Sequence, residues 1–196
     1  MNQNIPVIII GCGPAGAGAS LFLSKAGIPH LILERETFPR NKVCGDGCSG
    51  KTAFVLRKAD PAILDELFAD EERFLPSYGI TFAAPNGKRI DIPFTADKNR
   101  LEKPPGFTSR RSDLDHFLAK KLRSPHATLI EGADISSISR NEQGFTIIFR
   151  QGPNGQEQSL HCRLLIGADG DKGICRRKLL QGNMPVKTAA VGLRTY

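Results

Sequence analysis

Aromatic residues that stack on nucleic-acid bases are scarce in this sequence, which contains no tryptophan and only two tyrosines among its 196 residues. The 27 lysines and arginines outnumber the 20 acidic residues and give a formal net charge of +7. Such a charge favours anionic ligands or an anionic membrane surface. The basic residues are spread over several segments rather than aligned on one helix, so we expect no nucleic-acid partner.

Cysteine spacing of the kind found in zinc sites or disulfide frameworks is also missing. The five cysteines are an odd number and contain no Cys-x-x-Cys pair, and the four histidines show no ligand spacing. We therefore expect no metal site, no disulfide framework and a reducing, cytoplasmic setting.

No stretch of the sequence offers the roughly 18 apolar residues that a membrane span needs. An apolar run near the N-terminus could be mistaken for a signal peptide, but no basic residue precedes it and the first one is Lys25. The sequence therefore predicts a soluble protein, either cytoplasmic or peripheral to a membrane.

The most informative segment runs from Val7 to Glu34. Its pattern predicts, in order, a buried strand Val7 to Ile10, the turn Gly11-Cys12-Gly13-Pro14-Ala15-Gly16, a helix of small residues and a strand Leu31 to Leu33. Gly11 permits a tight turn, Gly13 lets the backbone approach a pyrophosphate, and Gly16 lets the helix lie close to the sheet. The pyrophosphate would bind at the helix N-terminus, where unpaired N–H groups and the positive dipole end favour an anion.

An acid follows the second strand at the distance that ribose recognition needs. Glu34 lies eighteen residues after Gly16 and can accept hydrogen bonds from a ribose 2′-hydroxyl. This favours an unphosphorylated ribose, so FAD or NAD rather than NADP. A glycine motif alone is weak evidence, but here the strand, the helix and the acid all accompany it.

The rest of the chain predicts further helices and strands. The helices are expected from Gly50 or Lys51 after an N-cap at Ser49, over Pro61 to Phe74, and over Arg111 to Arg123. The strands are expected over Ala127 to Glu131, Asp134 to Ser139, Gly144 to Arg150, Gln156 to His161, Arg163 to Gly167 and Val186 to Tyr196. Phe54, Val55 and Leu56 are expected to point inward. Ser112 is the expected N-cap of the third helix, with Asp113 and Asp115 in its first turn.

A β-hairpin interrupts this α/β pattern. Tyr78 to Phe94 alternates in a strand-like way around the turn Pro85-Asn86-Gly87, and Lys98 to Gly106 reads as a linker. We expect an α/β fold: a discontinuous Rossmann-like domain over residues 1–77 and 107–185, with a parallel sheet and a β-meander crossover. Residues 78–106 and 186–196 would form part of a second, antiparallel-sheet domain.

A second acidic glycine motif, Gly167-Ala168-Asp169-Gly170, follows a predicted buried strand. An aspartate in this position can present its carboxylate to the ribityl chain of a flavin, although an Asp-Gly turn without a ligand is common. Together with the first motif it favours FAD over NAD, because NAD enzymes have no need of it.

These motifs together resemble the geranylgeranyl reductase family, which lies within the larger group of FAD-dependent reductases, aromatic hydroxylases and halogenases. The resemblance rests on the turn Gly11 to Gly16, the segment Leu33-Glu34-Arg35, the loop Phe38-Pro39-Arg40-Asn41-Lys42-Val43-Cys44-Gly45-Asp46-Gly47, the helix start Arg111 to Asp115, and Gly167 to Gly170 followed by Arg176-Arg177. The loop is the most discriminating feature. Gly173 stands where the larger group usually has serine. The group's late third FAD motif is not found in these 196 residues, so we expect the N-terminal half of a reductase.

The resemblance implies FAD as the cofactor and assigns a set of residues to it. Glu34 would bind the adenosine ribose, Arg111 would lie near the phosphates, Asp169 would bind the ribityl or pyrophosphate region, and Cys44 and Gly45 would lie along the flavin. The full implied set is Gly11, Gly13, Pro14, Ala15, Gly16, Glu34, Arg35, Cys44, Gly45, Arg111, Asp169 and Gly170. Family members reduce isolated double bonds of isoprenoid chains with hydride from the flavin, which implies a small-molecule or lipid substrate and NAD(P)H or ferredoxin as electron donor.

Cys44 is the candidate catalytic residue. As a thiol beside the flavin it could donate a proton or respond to redox conditions, with a pKa lowered by Arg40 or Lys42; alternatively it is a small residue that fills a turn. Two other functions stay open for the chain. One is an FAD-dependent monooxygenase or halogenase, which requires oxygen, and the other is a flavin-binding module without turnover of its own.

Overall fold

A computed structural model describes residues 4–44, 46–95 and 103–180 of the chain. Its elements, in chain order, are β1 (Asn4–Ile10), α1 (Pro14–Lys25), β2 (His30–Leu33), β3 (Gly47–Cys48), α2 (Gly50–Ala59), α3 (Pro61–Phe68), β4 (Leu75–Ser77), β5 (Gly79–Ala83), β6 (Arg89–Pro93), β7 (Gly106–Thr108), α4 (Arg111–Lys121), β8 (Ala127–Ile130), β9 (Ala133–Asn141), β10 (Gly144–Gln151), β11 (Glu157–Gly167) and α5 (Ile174–Leu179). They form two compact units, one of Met1–Val43 with Asp115–Tyr196 and the other of Cys44–Leu114. The domain boundaries expected from the sequence stay a prediction.

The first unit is organised by a six-stranded sheet of order β8-β2-β1-β11-β10-β9. The first four strands in this order are parallel, and β10 pairs antiparallel with both β11 and β9. The predicted α/β fold with a parallel sheet and a β-meander is therefore confirmed. Parallel strands place their carboxyl ends at one edge of the sheet, which is where ligands bind in folds of this kind.

Alternation along the central strands separates two buried faces. Ile8 and Ile10 of β1 share one hydrophobic cluster with Ile147 and Phe149 of β10. Val7 and Ile9 are also buried but point to the opposite face, because side chains alternate along a strand. Helix α1 contacts β1 and β2 and buries its small residues Gly16, Ala17 and Ser20.

The second unit combines two small antiparallel sheets with helices α2 and α3. One sheet has the order β3-β7-β4, and its core includes Phe107, which makes edge-to-face contacts with Phe68 at 6.0 Å and Phe74 at 6.1 Å. The other is the predicted hairpin, in which β5 pairs with β6 around a turn where Gly87 has a φ of +82°. The hairpin prediction is confirmed.

Several local predictions need correction. Phe54 and Val55 do not point inward but are 52% and 42% exposed, because the buried face of α2 consists of Ala53, Leu56 and Ala59. Ser49 does occupy the N-cap position of α2, but its side chain makes no capping hydrogen bond. Helix α3 ends at Phe68 rather than Phe74, and residues 71–73 form a turn.

Three predictions for the later chain are also wrong. The segments predicted as separate strands on either side of Cys162 are one continuous strand, β11, which pairs with β10 along its first part and with β1 along its second. Its last part is not fully buried, since Leu164 is 52% exposed. Ser112 lies inside α4, which already begins at Arg111, and so is not its N-cap.

Other parts of the predictions fall outside the described residues. These are residues 98–102 of the predicted linker and the predicted strand over residues 186–196. Within the described ranges, no helix is long and apolar enough to cross a membrane.

Candidate functional site

The glycine-rich turn connects β1 to α1 with very close backbone packing. Gly11 has a φ of +92°, a conformation that favours glycine, and its N–H donates to the carbonyl oxygen of Leu33 at 2.8 Å. A Cβ atom on Gly16 would overlap the carbonyl oxygen of Gly11. Gly16 therefore lets the helix begin directly against the turn, which adds to its predicted role of bringing the helix close to the sheet.

The two glycine motifs meet at the carboxyl ends of adjacent strands. Ala168 follows β11, and its N–H donates to the carbonyl oxygen of Ile10 at 2.8 Å. A Cβ atom on Gly11 would lie 2.5 Å from the carbonyl oxygen of Ala168 and 2.9 Å from the Cα of Asp169. The structure therefore brings together two motifs that are far apart in the sequence.

The N-terminus of α1 suits an anionic ligand. The N-cap is Gly13, whose lack of a side chain leaves no side-chain capping hydrogen bond, and the first turn contains no acidic residue. Pro14 and Ala15 are exposed at this end of the helix. Because the first N–H groups of a helix have no intrahelical acceptor, this end can bind a phosphate group.

Glu34 lies beside the turn and is only 5% exposed. Its Oε2 accepts a hydrogen bond from the Cys12 N–H at 2.7 Å, and its Oε1 accepts one from the Glu36 N–H at 3.1 Å. The acid therefore lies against the glycine turn, as ribose recognition requires. The Arg35 side chain is 74% exposed and pairs with Glu36 at 3.0 Å.

Asp169 is bound to the helix that follows it. Its Oδ2 accepts a hydrogen bond from the Cys175 N–H at 2.9 Å, which caps the N-terminal end of α5. A Cβ atom on Gly173 would overlap this carboxylate. The lack of a side chain at Gly173 therefore gives the Asp169 side chain its room, and Gly170 supports the turn with a φ of +83°.

The buried thiols of Cys12 and Cys175 in the first unit are poor nucleophiles. Burial raises the pKa of Cys12 to about 12, and the neighbouring Glu34 charge adds to the effect. Burial likewise raises the pKa of Cys175 to about 12, with a further contribution from Asp169. Both side chains therefore remain neutral thiols near neutral pH.

Cys44, in the second unit, behaves differently. Burial alone would raise the pKa of its thiol, but a backbone hydrogen bond from Asp46 and the hydrogen bond and charge of Arg111 together lower it below the ordinary value of 9.0. Asp46 has a φ of 57°, and its carbonyl oxygen accepts a hydrogen bond from the Ser109 N–H at 3.0 Å. The predicted lowering of the pKa thus has a different cation as its cause, Arg111. Gly45 lies outside the described residues.

Sequence reasoning missed the roles of two charged residues, Arg40 and Asp115. The Nη1 of Arg40 lies 3.2 Å from the Oδ2 of Asp115, and its Nε lies 3.4 Å from the Oε1 of Glu34. Asp115 is fully buried rather than complementing a helix dipole at the surface. It lies on the same face of α4 as Leu118, and an acid on an apolar helix face is a signal that a buried cation lies opposite.

Three features define a dinucleotide-binding α/β domain. They are the glycine turn at the carboxyl end of β1, the N-terminus of α1 without a side-chain cap, and the buried acid Glu34. The chain belongs to the FAD binding domain family, whose model matches residues 4–193. FAD is accordingly the cofactor, and the turn fits it, because the uncapped N-terminus of α1 offers N–H groups to a pyrophosphate beside an acid suited to a ribose.

Similarity to individual proteins extends over most of the chain. It is 27% identical to menaquinone reductase of Mycobacterium tuberculosis, over 91% of this chain and 41% of that protein. It is 24% identical to digeranylgeranylglycerophospholipid reductase of Methanococcus vannielii, over 87% of this chain and 39% of that protein. The p-nitrophenol 4-monooxygenase PnpA of Pseudomonas putida shares the fold, with a TM-score of 0.77 and 20% identity over 91% of this chain and 44% of that one. The chain thus spans about two fifths of the length of the curated relatives it matches.

Proposed function

We propose that the chain is the FAD-binding part of an oxidoreductase that reduces carbon–carbon double bonds of isoprenoid lipids. The observation that carries the proposal is the Cys44 thiol, whose pKa is lowered by a backbone hydrogen bond from Asp46 and by the hydrogen bond and charge of Arg111, in a loop that resembles that of geranylgeranyl reductases. Two relatives support it, since both are named reductases and one name specifies a digeranylgeranyl lipid. A lipid substrate would bring the protein to a membrane surface, and the net charge of +7 suits an anionic one.

In this proposal the first unit binds the ADP half of the cofactor. The N–H groups at the start of α1 donate to the pyrophosphate, and the backbone at Gly11 and Gly13 leaves room for it. Glu34 accepts a hydrogen bond from the adenosine ribose, and its hydrogen bond from Cys12 fixes its distance from the turn. Asp169 holds the second motif in place through its bond to α5, next to the pyrophosphate and ribityl region.

The proposed proton donor is Cys44, whose loop the resemblance assigns to the flavin. When bound, reduced FAD supplies a hydride to one carbon of the double bond. Cys44 Sγ holds the proton that the other carbon receives, and solvent protonates the thiolate again. Arg111 stabilises the thiolate while it is charged, so the same contact that lowers the pKa favours release of the proton. Electrons reach the flavin from NAD(P)H or from ferredoxin.

A second candidate function is an FAD-dependent monooxygenase or halogenase. The observation that favours it is the fold shared with the monooxygenase PnpA, at a TM-score of 0.77. A third candidate is a flavin-binding module without turnover of its own, which would use the same cofactor contacts at the start of α1 and at Glu34. All three candidates bind FAD. They differ in whether an isoprenoid lipid, oxygen or neither reoxidises the reduced flavin.

The test is an anaerobic reoxidation experiment on the FAD-loaded chain. The flavin is reduced, then either a geranylgeranyl lipid or oxygen with an aromatic substrate is added, and the flavin absorbance and the products are followed. Reoxidation by the lipid, with a product that has gained two hydrogen atoms, supports the reductase. Reoxidation by oxygen with a hydroxylated product supports the monooxygenase, and FAD binding without either reaction supports the module.

A pair of cysteine variants tests the proposed proton donor. Cys44→Ser removes the acidic thiol and is expected to slow lipid reduction while FAD stays bound. Cys48→Ser makes the same chemical change in strand β3 and serves as the control. Equal rates for the two variants would remove Cys44 from the mechanism.

A further inference from the structure

Three charged side chains are packed together, and one of them is the proposed ribose ligand Glu34. Arg40 lies between Glu34 and Asp115, at 3.4 Å from the first carboxylate and 3.2 Å from the second. The side chains of Arg40, Glu34 and Asp115 are 12%, 7% and 0% exposed. Since water screens such groups very little, the interactions among them are strong.

Arg40 is anchored independently of Glu34. The segment that carries it is fixed where the Phe38 N–H donates to Glu131 Oε2 at 2.8 Å, and the Phe38 ring lies 5.2 Å from the guanidinium carbon of Arg40. Asp115 holds the other side of the guanidinium from helix α4. The position of the Arg40 guanidinium therefore does not depend on its contact with Glu34.

The Glu34 carboxylate is held at both oxygens. Oε2 is bound by the Cys12 N–H, whereas Oε1 is shared between the Glu36 N–H and Arg40 Nε. The Arg40 contact is an ion pair without hydrogen-bond geometry, since Nε makes no hydrogen bond. Its charge compensates a buried carboxylate that would otherwise be repelled by Asp115. The orientation of Glu34 is thus set before any ligand binds.

We propose that Arg40, anchored by Asp115, is a positioning residue that aims the Glu34 carboxylate at the adenosine ribose of FAD. The two carboxylates and one guanidinium leave the cluster with one net negative charge, which suits a ribose hydroxyl and opposes a ribose phosphate. This inference rests on the proposed role of Glu34 as the ribose ligand. Arg40 and Asp115 would thus act on the cofactor through the position of the Glu34 carboxylate.

The test compares FAD with an analogue that lacks the 2′-hydroxyl of the adenosine ribose. Dissociation constants are measured with the full chain by titration calorimetry. The wild-type chain is expected to bind FAD about tenfold more tightly than the analogue, the effect of one hydrogen bond to a charged group. Arg40→Met is expected to lower this ratio to less than about threefold, because a Glu34 that is no longer positioned loses its hold on the hydroxyl.

Controls separate positioning from general destabilisation. A purely structural loss would weaken both ligands equally and leave the ratio at its wild-type value, which would overturn the proposal. Arg150→Met removes an exposed arginine paired with Glu157 on β10 and β11 and should leave the ratio unchanged. Arg40→Lys keeps the charge and should restore part of the ratio.

The remaining outcomes are equally decisive. If the wild-type chain binds both ligands equally, the ribose role of Glu34 fails and this inference with it, whereas FAD binding itself still stands. If Arg40→Met does not fold, Asp115→Asn decides the matter, since it removes the anchor of Arg40 and keeps the side-chain shape. An Asp115→Asn ratio equal to that of wild type would overturn the proposal, and a reduced one would support it.

Discussion

Gly11 lies so close to Ala168 that a Cβ atom on the glycine would be 2.5 Å from the alanine carbonyl oxygen. The contact follows from the strand order, since β1 and β11 are adjacent and parallel and Ile10 is in register with Gly167. Backbone on both sides leaves nothing that could yield, unlike a contact with the end of a flexible side chain. Because position 11 has no side chain, the two motifs of the cofactor site can pack directly against each other.

Gly11→Ala should therefore damage both the fold and FAD binding. The substitution combines the backbone overlap with a φ of +92°, and we expect a loss of more than about 2 kcal/mol in the free energy of unfolding. Denaturant unfolding of the chain without FAD measures the first effect, and calorimetric titration with FAD measures the second.

Gly18→Ala is the matched control for this substitution. Gly18 lies within α1, and a Cβ atom there would meet nothing within 4 Å. Alanine in a helix interior is expected to stabilise the protein by about 0.5 to 1 kcal/mol relative to glycine. Equal destabilisation by the two substitutions would contradict the assigned role of the Gly11 contact.

Asp169→Ala should destabilise the chain even without cofactor. Its carboxylate caps α5 through the Cys175 N–H, and loss of such a cap costs about 1 kcal/mol. Thermal unfolding without FAD measures this effect alone. Asp171→Ala, at an exposed position two residues further on, is the control. If both variants unfold at the wild-type temperature, the capping bond contributes nothing to stability.

The local pattern of the sequence was enough to predict much of the first unit. Apolar runs, glycines and the spacing to Glu34 predicted β1, α1, β2 and the turn between them, because each of these signals acts over a few neighbouring residues. The continuous strand β11 could not be predicted in this way. Its change of partner from β10 to β1 depends on residues far away in the sequence, and Cys162 carries no local mark of it.

The candidate site shows the same division between local and distant information. Glu34 was predicted from its distance to Gly16, and the structure places it against the turn. The Arg40 and Asp115 pair was not predicted, because the two residues are separated by the entire second unit in the sequence. The cation acting on Cys44 was assigned to its sequence neighbours, whereas it comes from Arg111 in a distant helix.

Cys44 should be alkylated more readily than Cys12 or Cys175. Its pKa lies below 9.0, whereas burial raises the pKa of Cys12 to about 12, so at neutral pH a larger share of Cys44 is thiolate. Arg111→Met removes one hydrogen bond and the charge that lower the Cys44 pKa and leaves the backbone hydrogen bond from Asp46, so the effect of burial, which raises the pKa, gains weight. The pH profile of Cys44 alkylation should therefore shift to higher pH.

Peptide mapping after timed iodoacetamide treatment measures this reactivity at each cysteine. Arg110→Met, at the exposed neighbouring position, is the control and should leave the Cys44 profile close to that of wild type. An unchanged profile in Arg111→Met would show that Arg111 does not set the pKa of Cys44.

Glu34→Gln should weaken FAD binding by about 1 to 3 kcal/mol, the scale of losing a hydrogen bond to a charged acceptor. Glutamine is preferable to alanine because its single carbonyl oxygen can still accept from the Cys12 N–H, which alanine would leave buried and unpaired. Glu36→Gln, on a half-exposed side chain two residues later, is the control. Calorimetric titration gives the FAD affinities, and thermal unfolding without FAD gives the structural part of the effect. A dissociation constant unchanged from wild type would remove Glu34 as the ribose ligand, whereas a loss confined to Glu34→Gln would support that role.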